Sequence, residues 1–469
     1  METKNEPSTT RSQIVLCFDG TGNTFRADGT ETNILRICRM LQRGDDQLVY
    51  YQRVGTTITP SALAATQLHK TLTQGKSRTL SQALGHTFDQ HVLGGYRFLM
   101  RHYRTATDIY IFGFSRGAYT ALFLAEMLDA AGLLGPNNEE MIPLVWEAFS
   151  QLKLTRYQTA EAQERAGTYL RHCRETLCRP VRPARFLGLF DTVNSVAEFE
   201  VVNDGRSNAR VVRHAVSIDE RRVKFQPVLL GIYGRGERGQ RVERVLDGLR
   251  GGGVGGDDDS QDFEEVWFPG NHADIGGGFQ RGPRERTQIS HVPLVWMVRE
   301  AQRAGLRLDR EKMKEMGCLE EELGRSLSSS PSPSPFQAAL VDSCTQGLLH
   351  SSLDAGDGVS RATAWLWRFM EWIPIRRAAM QKDGRWALVH WPPHRGAPRD
   401  TPLDAKFHGS TIRRMKADPE YRPGNVIIGG SGMNCRRAPE RFGIGEWGVC
   451  SGGGSLASEI YMRKLPGQS

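Results

Sequence analysis

The first half of this 469-residue chain alternates apolar strand patterns with amphipathic helix patterns, and this alternation constrains the fold more than any other feature. Strands are predicted over 14–18, 47–52 and 108–114, and helices over 32–41 and 80–103. Alternating strands and helices fold into a mostly parallel sheet whose two faces are covered by helices. The sequence therefore predicts an α/β architecture.

A serine stands at the junction between a predicted strand and a predicted helix, in the segment GFSRG at 113–117. In this context the G-x-S-x-G pattern predicts an α/β-hydrolase sheet with Ser115 as a nucleophile on a sharp, strained turn. Gly113 and Gly117 remove side chains that would clash with the neighbouring strand and helix. The helix that follows is predicted over 116–134. Because an ordinary turn with a capping serine fits the same pattern, the interpretation depends on partners elsewhere in the chain.

A serine nucleophile needs a base that accepts its proton and an acid that orients the base. In this fold the order is nucleophile, acid, histidine, with the last two at the carboxyl ends of strands. Asp191 follows a predicted strand at 184–190, and His272 follows another at 265–268. Asp274 competes as the acid, but it is only two residues from His272 and is expected to support the histidine loop. The predicted catalytic residues are Ser115, Asp191 and His272.

Two backbone N–H groups are needed to bind the oxyanion that forms during acyl transfer. One is predicted to come from Arg116, the residue after the nucleophile. The other is predicted in the glycine-rich loop after the first strand, where Asp19 precedes Gly20 and Thr21. Gly20 or Thr21 is therefore the expected second donor, and Asp19 is expected to support this loop.

The remaining segments are assigned from composition and spacing. The predicted organisation is a disordered N-terminus (1–11), a catalytic domain (12–305), a partly disordered linker (306–336) and a C-terminal region that packs on the catalytic domain (337–469). Inside the catalytic domain, 137–183 is predicted to be a helical insertion or lid, and 235–261 a flexible loop. An aromatic stretch at 365–373 is expected to face the core, with a membrane-docking surface as the alternative.

Composition narrows the partners. The net charge is +8, but the Lys and Arg residues are scattered among acidic ones, so no nucleic-acid partner is predicted. A polar N-terminus and the lack of a long apolar run lead us to expect a cytoplasmic protein. Eight cysteines form no defensible zinc spacing, so no metal and no cofactor are expected.

Four segments carry a family resemblance, namely LCFDGTGN at 16–23, IFGFSRGAY at 111–119, FLGLFDTV at 186–193 and WFPGNHADIGGG at 267–278. Together they resemble the uncharacterised α/β-hydrolase domain family that includes phospholipase effectors of bacterial type VI secretion. The resemblance covers about residues 12–305. It implies an ester-bond hydrolase, with phospholipids as one candidate substrate, and a triad at Ser115, Asp191 and His272.

The leading hypothesis is a serine hydrolase that cleaves carboxylic esters through an acyl-enzyme. Its expected partner is an ester or lipid substrate, and peripheral contact with a membrane is a further option. The sequence leaves the oligomeric state open. One alternative is an esterase, thioesterase or peptidase that acts on a soluble substrate. The other is a non-catalytic interaction scaffold that keeps the hydrolase fold. The scaffold hypothesis predicts that the side chains of Ser115 and His272 lie too far apart to form a hydrogen bond.

Overall fold

A computed structural model describes residues 11–20, 30–53, 78–153, 160–194, 209–231, 261–279, 285, 287–320, 334–356, 359–375, 377–380, 386–427, 435–451 and 455–464. The predicted disordered segment 1–11, apart from its last residue, lies outside these ranges. So do the predicted flexible loop 235–261, apart from Gln261, and the candidate oxyanion residue Thr21.

The strands are, in chain order, β1 (Gln13–Asp19), β2 (Gln47–Arg53), β3 (Asp108–Phe114), β4 (Leu133–Leu134), β5 (Cys178–Arg179), β6 (Ala184–Phe190), β7 (Ala209–Ser217), β8 (Asp262–Phe268), β9 (Arg377–Met380), β10 (Trp386–Val389), β11 (Lys406–His408), β12 (Trp447–Ser451) and β13 (Ile460–Arg463). Within the described part of the chain, nine of them form one sheet in the order β12-β13-β11-β8-β7-β6-β3-β1-β2. Neighbouring strands are parallel from β2 to β11, and β13 and β12 continue the sheet antiparallel.

The helices are α1 (Asn33–Met40), α2 (Arg78–His102), α3 (Arg116–Ala131), α4 (Ile142–Lys153), α5 (Ala160–Leu177), α6 (His272–Gly276), α7 (His291–Arg303), α8 (Arg310–Glu315), α9 (Pro335–Gln346), α10 (Arg361–Met370) and α11 (Gly409–Ala417). Helices α2 to α5 pack in a core on one face of the sheet, and α1, α7 and α9 pack in a core on the other. The predicted fold class, a mostly parallel α/β sheet covered on both faces, is confirmed.

Strand β1 shows why the sequence folds this way. All seven of its residues are buried, because successive side chains of a strand point to opposite faces and both faces are covered. Leu16 and Phe18 enter the first core, whereas Val15 and Cys17 enter the second. Since parallel strands share one direction, the loops after β1, β3, β6, β7 and β8 meet at one edge of the sheet.

Several boundaries differ from those predicted. Helix α3 ends at Ala131, not at residue 134, because Gly132 adopts a φ of 75° that ends the helix. The next two residues pair as β4 with β5. Strand β8 begins at Asp262 rather than Glu265, and strand β7 was not predicted at all. Strands β3 and β6 have the predicted bounds.

Two predicted segments outside the strand–helix alternation are folded. Helices α4 and α5 occupy the predicted insertion, and Trp146, Phe149 and Leu170 are buried in the core that also contains α3. Helix α8 lies inside the predicted linker, where the Asp309 side chain caps it by accepting the Lys312 N–H at 3.2 Å. Part of the predicted linker is therefore helical.

The C-terminal region continues the sheet of the first half of the chain. Strand β11 pairs parallel with β8, and β13 and β12 follow it. The aromatic stretch in and after α10 was expected to face the core, and this is wrong for three of its members. Trp367 is buried, whereas Trp365, Phe369 and Trp372 are 66%, 44% and 60% exposed.

None of the helices in the described ranges combines the length and apolar character needed to cross a membrane.

Candidate active site

Ser115 lies on the turn between β3 and α3 and has a φ of 60° and a ψ of −125°. A residue with a side chain rarely adopts a positive φ, so the surrounding structure must hold this turn. The Ser115 N–H donates to Phe190 O at 3.0 Å, and the Val193 N–H donates to Ser115 O at 3.4 Å. The end of β6 therefore fixes the turn and presents Ser115 at the carboxyl edge of the sheet.

The glycines beside Ser115 are explained by close backbone contacts. A Cβ atom on Gly113 would lie 2.7 Å from Ala118 N, and one on Gly117 would lie 2.2 Å from Phe18 O. Backbone atoms cannot rotate away as side chains can, so both positions exclude larger residues. The Gly117 contact also brings the end of β1 next to the Ser115 turn.

His272 is the first residue of α6, directly after the loop that follows β8. The Asn271 side chain caps this helix by accepting the Ala273 N–H at 2.9 Å and the Asp274 N–H at 3.1 Å. The Asp274 carboxylate in turn accepts the Asn271 N–H at 2.9 Å, which completes a reciprocal cap. Asp274 Oδ1 also lies 2.6 Å from His350 Nδ1. These bonds place Asp274 as a support of the histidine turn.

The three side chains predicted as a triad form a continuous chain of hydrogen bonds. Ser115 Oγ lies 2.7 Å from His272 Nε2, and His272 Nδ1 lies 2.6 Å from Asp191 Oδ2. The rings of Phe114 and Phe225 each have their centroid 4.8 Å from that of His272. Ser115 is 6% and His272 5% exposed, so the centre is enclosed.

Arg399, a fourth charged residue of this centre, was not predicted from the sequence. Its fully buried guanidinium donates to both oxygens of Asp191, with Nη1–Oδ1 at 2.6 Å and Nη2–Oδ2 at 3.0 Å. It also donates to Ser217 Oγ at 2.6 Å and to Phe225 O. Arg399 lies in the irregular segment WPPHRGAPRD at 391–400, where no motif or periodicity marks one arginine over another.

Burial and neighbouring charges set the protonation states of Asp191 and His272. Burial raises the pKa of Asp191, but Arg399 and the hydrogen bond from His272 outweigh burial and hold that pKa well below its usual range. Burial lowers the pKa of His272, and Asp191 offsets this only in part. At neutral pH the centre therefore combines an ionised carboxylate with a neutral imidazole that can accept a proton.

A buried ion pair lies beside the imidazole. Glu220 Oε2 accepts the His272 backbone N–H at 3.3 Å, and both Glu220 oxygens accept bonds from the Arg222 guanidinium, at 2.9 and 2.7 Å. The Arg222 guanidinium also lies 3.6 Å from the Phe225 ring centroid and 5.1 Å from that of Trp367. This layer of charge and aromatic rings covers one side of His272.

The two predicted oxyanion positions have different outcomes. Arg116 is the first residue of α3, so its backbone N–H lies at the N-terminus of the helix, directly after Ser115. The structure contradicts the prediction that Gly20 is a donor to the oxyanion, because its N–H already donates to Asp19 Oδ1 at 2.7 Å. Thr21, the other predicted donor, lies outside the described residues.

Asp19 holds the start of the loop after β1. Its buried carboxylate accepts the Thr32 hydroxyl at 2.6 Å and the Tyr51 hydroxyl at 2.8 Å, in addition to the Gly20 N–H. Thr32 is also the N-cap of α1, where it accepts the Leu35 N–H at 3.2 Å. Asp19 thus links β1, β2 and α1 next to the Ser115 turn.

Over the described residues, no group of three His, Cys, Asp or Glu side chains is arranged to hold a metal ion.

Comparison with known proteins finds relatives over much of the chain. The family model described as "T6SS, Phospholipase effector Tle1-like, catalytic domain" matches residues 12–300. The uncharacterized protein YEL023C of Saccharomyces cerevisiae is 24% identical over 565 residues, which cover 89% of this chain and 81% of the yeast protein.

Two solved structures are also similar. An uncharacterized protein from Pseudomonas aeruginosa is 19% identical with a TM-score of 0.32, over 71% of this chain and 53% of that one, so this chain spans about half of its length. The Tle1 effector bound to the VgrG spike of the type 6 secretion system is 12% identical with a TM-score of 0.33, over 83% of this chain and 90% of that one.

Proposed function

Since this chain belongs to the Tle1-like catalytic-domain family of type VI secretion phospholipase effectors, we propose that it hydrolyses the carboxylic ester bonds of phospholipids through a Ser115 acyl-enzyme. The observation that carries this proposal is the hydrogen-bond chain from Ser115 through His272 to Asp191. It starts on a strained turn at the carboxyl edge of an α/β sheet, where such nucleophiles stand.

The geometry supports a two-step reaction. Ser115 Oγ attacks the ester carbonyl carbon while His272 Nε2 takes the hydroxyl proton and Asp191 stabilises the resulting imidazolium. The Arg116 N–H binds the oxyanion, and Thr21 remains the candidate for the second donor. His272 then gives the proton to the leaving alcohol. A water molecule, deprotonated by the same ring, releases the fatty acid and restores Ser115.

The scaffold alternative is less well supported by the geometry. A scaffold that had lost catalysis has no need to keep the serine and histidine within hydrogen-bonding distance. The distance of 2.7 Å between Ser115 Oγ and His272 Nε2 is the opposite of what that alternative predicts.

A lipid substrate, rather than a soluble ester, is supported by an exposed aromatic surface formed by Trp365, Phe369 and Trp372. The Trp365 and Phe369 rings stack with centroids 5.9 Å apart. The Arg395 guanidinium lies 4.9 Å from the Trp372 ring centroid. Amphipathic aromatic side chains favour the boundary between lipid and water.

Charge and position point to an anionic phospholipid bilayer as the occupant of this aromatic surface. Helix α10 carries Arg361 and Arg368 and no acidic residue. Arg368 pairs with Asp354 at 2.7 Å, so the charge that complements anionic headgroups is that of Arg361, at the exposed start of the helix. Its buried Trp367 has its ring centroid 5.7 Å from that of Phe225, which in turn packs on His272. A bilayer on the aromatic surface would thus lie close to the reaction centre.

Hydrolysis of anionic phospholipid vesicles, compared with that of a short-chain monomeric ester, tests both parts of the proposal. Ser115→Ala should abolish both activities, and activity that survives would contradict the serine mechanism. The triple variant Trp365→Ala/Phe369→Ala/Trp372→Ala should lower vesicle hydrolysis about tenfold or more and leave the monomeric ester unaffected. Val449→Ala, exposed on strand β12, is the matched control.

Equal loss on both substrates, or no loss on vesicles, would contradict the membrane-contact part. A preference for the monomeric ester in the unmodified protein would favour the soluble-substrate alternative.

The cytoplasmic location stays a prediction from the sequence.

A further inference from the structure

We propose that Arg399 is a positioning residue for the catalytic acid, supplied by a segment about one hundred residues beyond the family-matched region. It locks the Asp191 carboxylate in the orientation that holds His272. This inference rests on the proposed serine mechanism, because it assigns Arg399 a role only through Asp191.

Both oxygens of the Asp191 carboxylate are held by hydrogen bonds. Asp191 Oδ1 accepts the Ser217 N–H at 2.9 Å and Arg399 Nη1 at 2.6 Å. Asp191 Oδ2 lies 2.6 Å from His272 Nδ1 and accepts Arg399 Nη2 at 3.0 Å. Rotation of the carboxylate away from His272 would break a two-pronged, charge-assisted contact, which is among the strongest polar contacts that proteins form. Arg399 therefore opposes the motion that would release the imidazole.

Arg399 is itself held by hydrogen bonds from several sides. Its Nη1 donates to Ser217 Oγ at 2.6 Å and to Ser217 O at 3.1 Å, and its Nη2 donates to Phe225 O. The Asn425 side chain donates to Arg399 O at 3.0 Å and to Ile218 O at 3.1 Å. The guanidinium is thus fixed relative to the end of β7, next to the strand that leads to Asp191.

Arg399 also acts on Asp191 through its positive charge. Asp191 is fully buried, and a buried carboxylate without a compensating cation tends to take up a proton. The charged groups around the imidazole are Asp191, Glu220, Arg222 and, one contact further, Arg399. Arg222 is paired with Glu220. Loss of the Arg399 charge should therefore let the His272–Asp191 pair hold a proton up to a higher pH.

The test is the rate at which a fluorophosphonate probe labels the full-length protein, measured as a function of pH. Arg399→Met should label about one hundredfold more slowly at pH 7, and the pH at which the rate falls to half should rise by about one unit. Arg399→Lys keeps the charge but not the two-pronged geometry. It should therefore keep the midpoint of the unmodified protein and label about tenfold more slowly.

A double-mutant cycle separates positioning from a merely structural role. In an Asp191→Asn background, Arg399→Met should change the labelling rate less than about threefold, because the group through which Arg399 acts is already altered. The same large factor in both backgrounds would overturn the proposal. So would an unchanged midpoint and rate in Arg399→Met.

If Arg399→Met does not fold, the labelling rate of Arg399→Lys decides. A loss of about tenfold that shrinks to less than about threefold in the Asp191→Asn background supports the proposal, and the same factor in both backgrounds overturns it. An unmodified protein that does not label would overturn the proposed function itself. Labelling that is equal in the unmodified protein and Arg399→Met would overturn only the role of Arg399.

Discussion

The family-matched region, residues 12–300, and the C-terminal region that follows it build the same centre in different ways. The first supplies Ser115, Asp191 and His272, each directly after or shortly beyond the end of a parallel strand. The second supplies Arg399, which binds Asp191, and Trp367, whose ring packs on Phe225. It also adds strands β11, β13 and β12 to the sheet.

The two regions differ in how far the local sequence indicates which residues build the centre. In the family-matched region the backbone itself restricts the residues: Gly117 must approach Phe18 O, and Asn271 must cap the helix that begins with His272. Such restrictions produce recognisable motifs. In the C-terminal region the contributing group is the side chain of Arg399, which binds Asp191, 208 positions earlier in the sequence. A contact between such distant positions produces no local sequence pattern.

The largest expected effect concerns the family-matched region. His272→Gln removes the proposed base, so hydrolysis and fluorophosphonate labelling should both fall by about ten thousandfold. His390→Gln, an exposed histidine, is the matched control and should leave both rates unchanged. A His272→Gln rate within tenfold of the unmodified protein would mean that another group is the base, and the assignment of this region would fail.

The next effect tests whether the two regions form one folding unit. Phe407 is fully buried on β11, between β8 and β13, so Phe407→Ala should lower the free energy of unfolding by about 3–5 kcal/mol. Denaturant unfolding, followed by tryptophan fluorescence and by circular dichroism, should show a single shifted transition. Val449→Ala, at an exposed site on β12, should change it by less than about 0.5 kcal/mol. Two separate transitions would show that the C-terminal region unfolds alone.

The smallest effect concerns pH. Labelling requires a neutral His272, and burial lowers the pKa of this ring below its usual value of 6.5. The ring therefore stays neutral as pH falls until below 6.5, and the half-maximal labelling rate should occur below that pH. Protonation of the buried ring should also destabilise the fold as pH falls through this range. A midpoint at pH 7 or above would contradict the electrostatic description of the centre.

Much of the fold was predictable, because alternation and apolar runs report directly on a covered parallel sheet. Strands β3 and β6 have their predicted bounds. The end of α3 was missed because Leu133 and Leu134 continue an apolar pattern after Gly132 has already ended the helix. The outward side of α10 was missed because a run of aromatic residues resembles a core-facing helix whether or not it is covered.

The site was predictable in its chain order but not in all its hydrogen bonds. Motifs located the three triad candidates, and the structure brings their side chains together. The engagement of the Gly20 N–H by Asp19 could not be predicted, because it depends on the rotamer of a single buried side chain. Arg399 could not be predicted, because the chain offers many arginines and only the tertiary fold selects one.

The central claim, that Ser115 is the nucleophile, is tested most directly by the position of a covalent adduct. The protein is treated with a fluorophosphonate, digested, and mapped by mass spectrometry. The structure predicts a single adduct on Ser115, within the segment 113–117, that is absent from Ser115→Ala and strongly slowed in His272→Gln. An adduct on another residue, or one that persists in Ser115→Ala, would contradict the assignment.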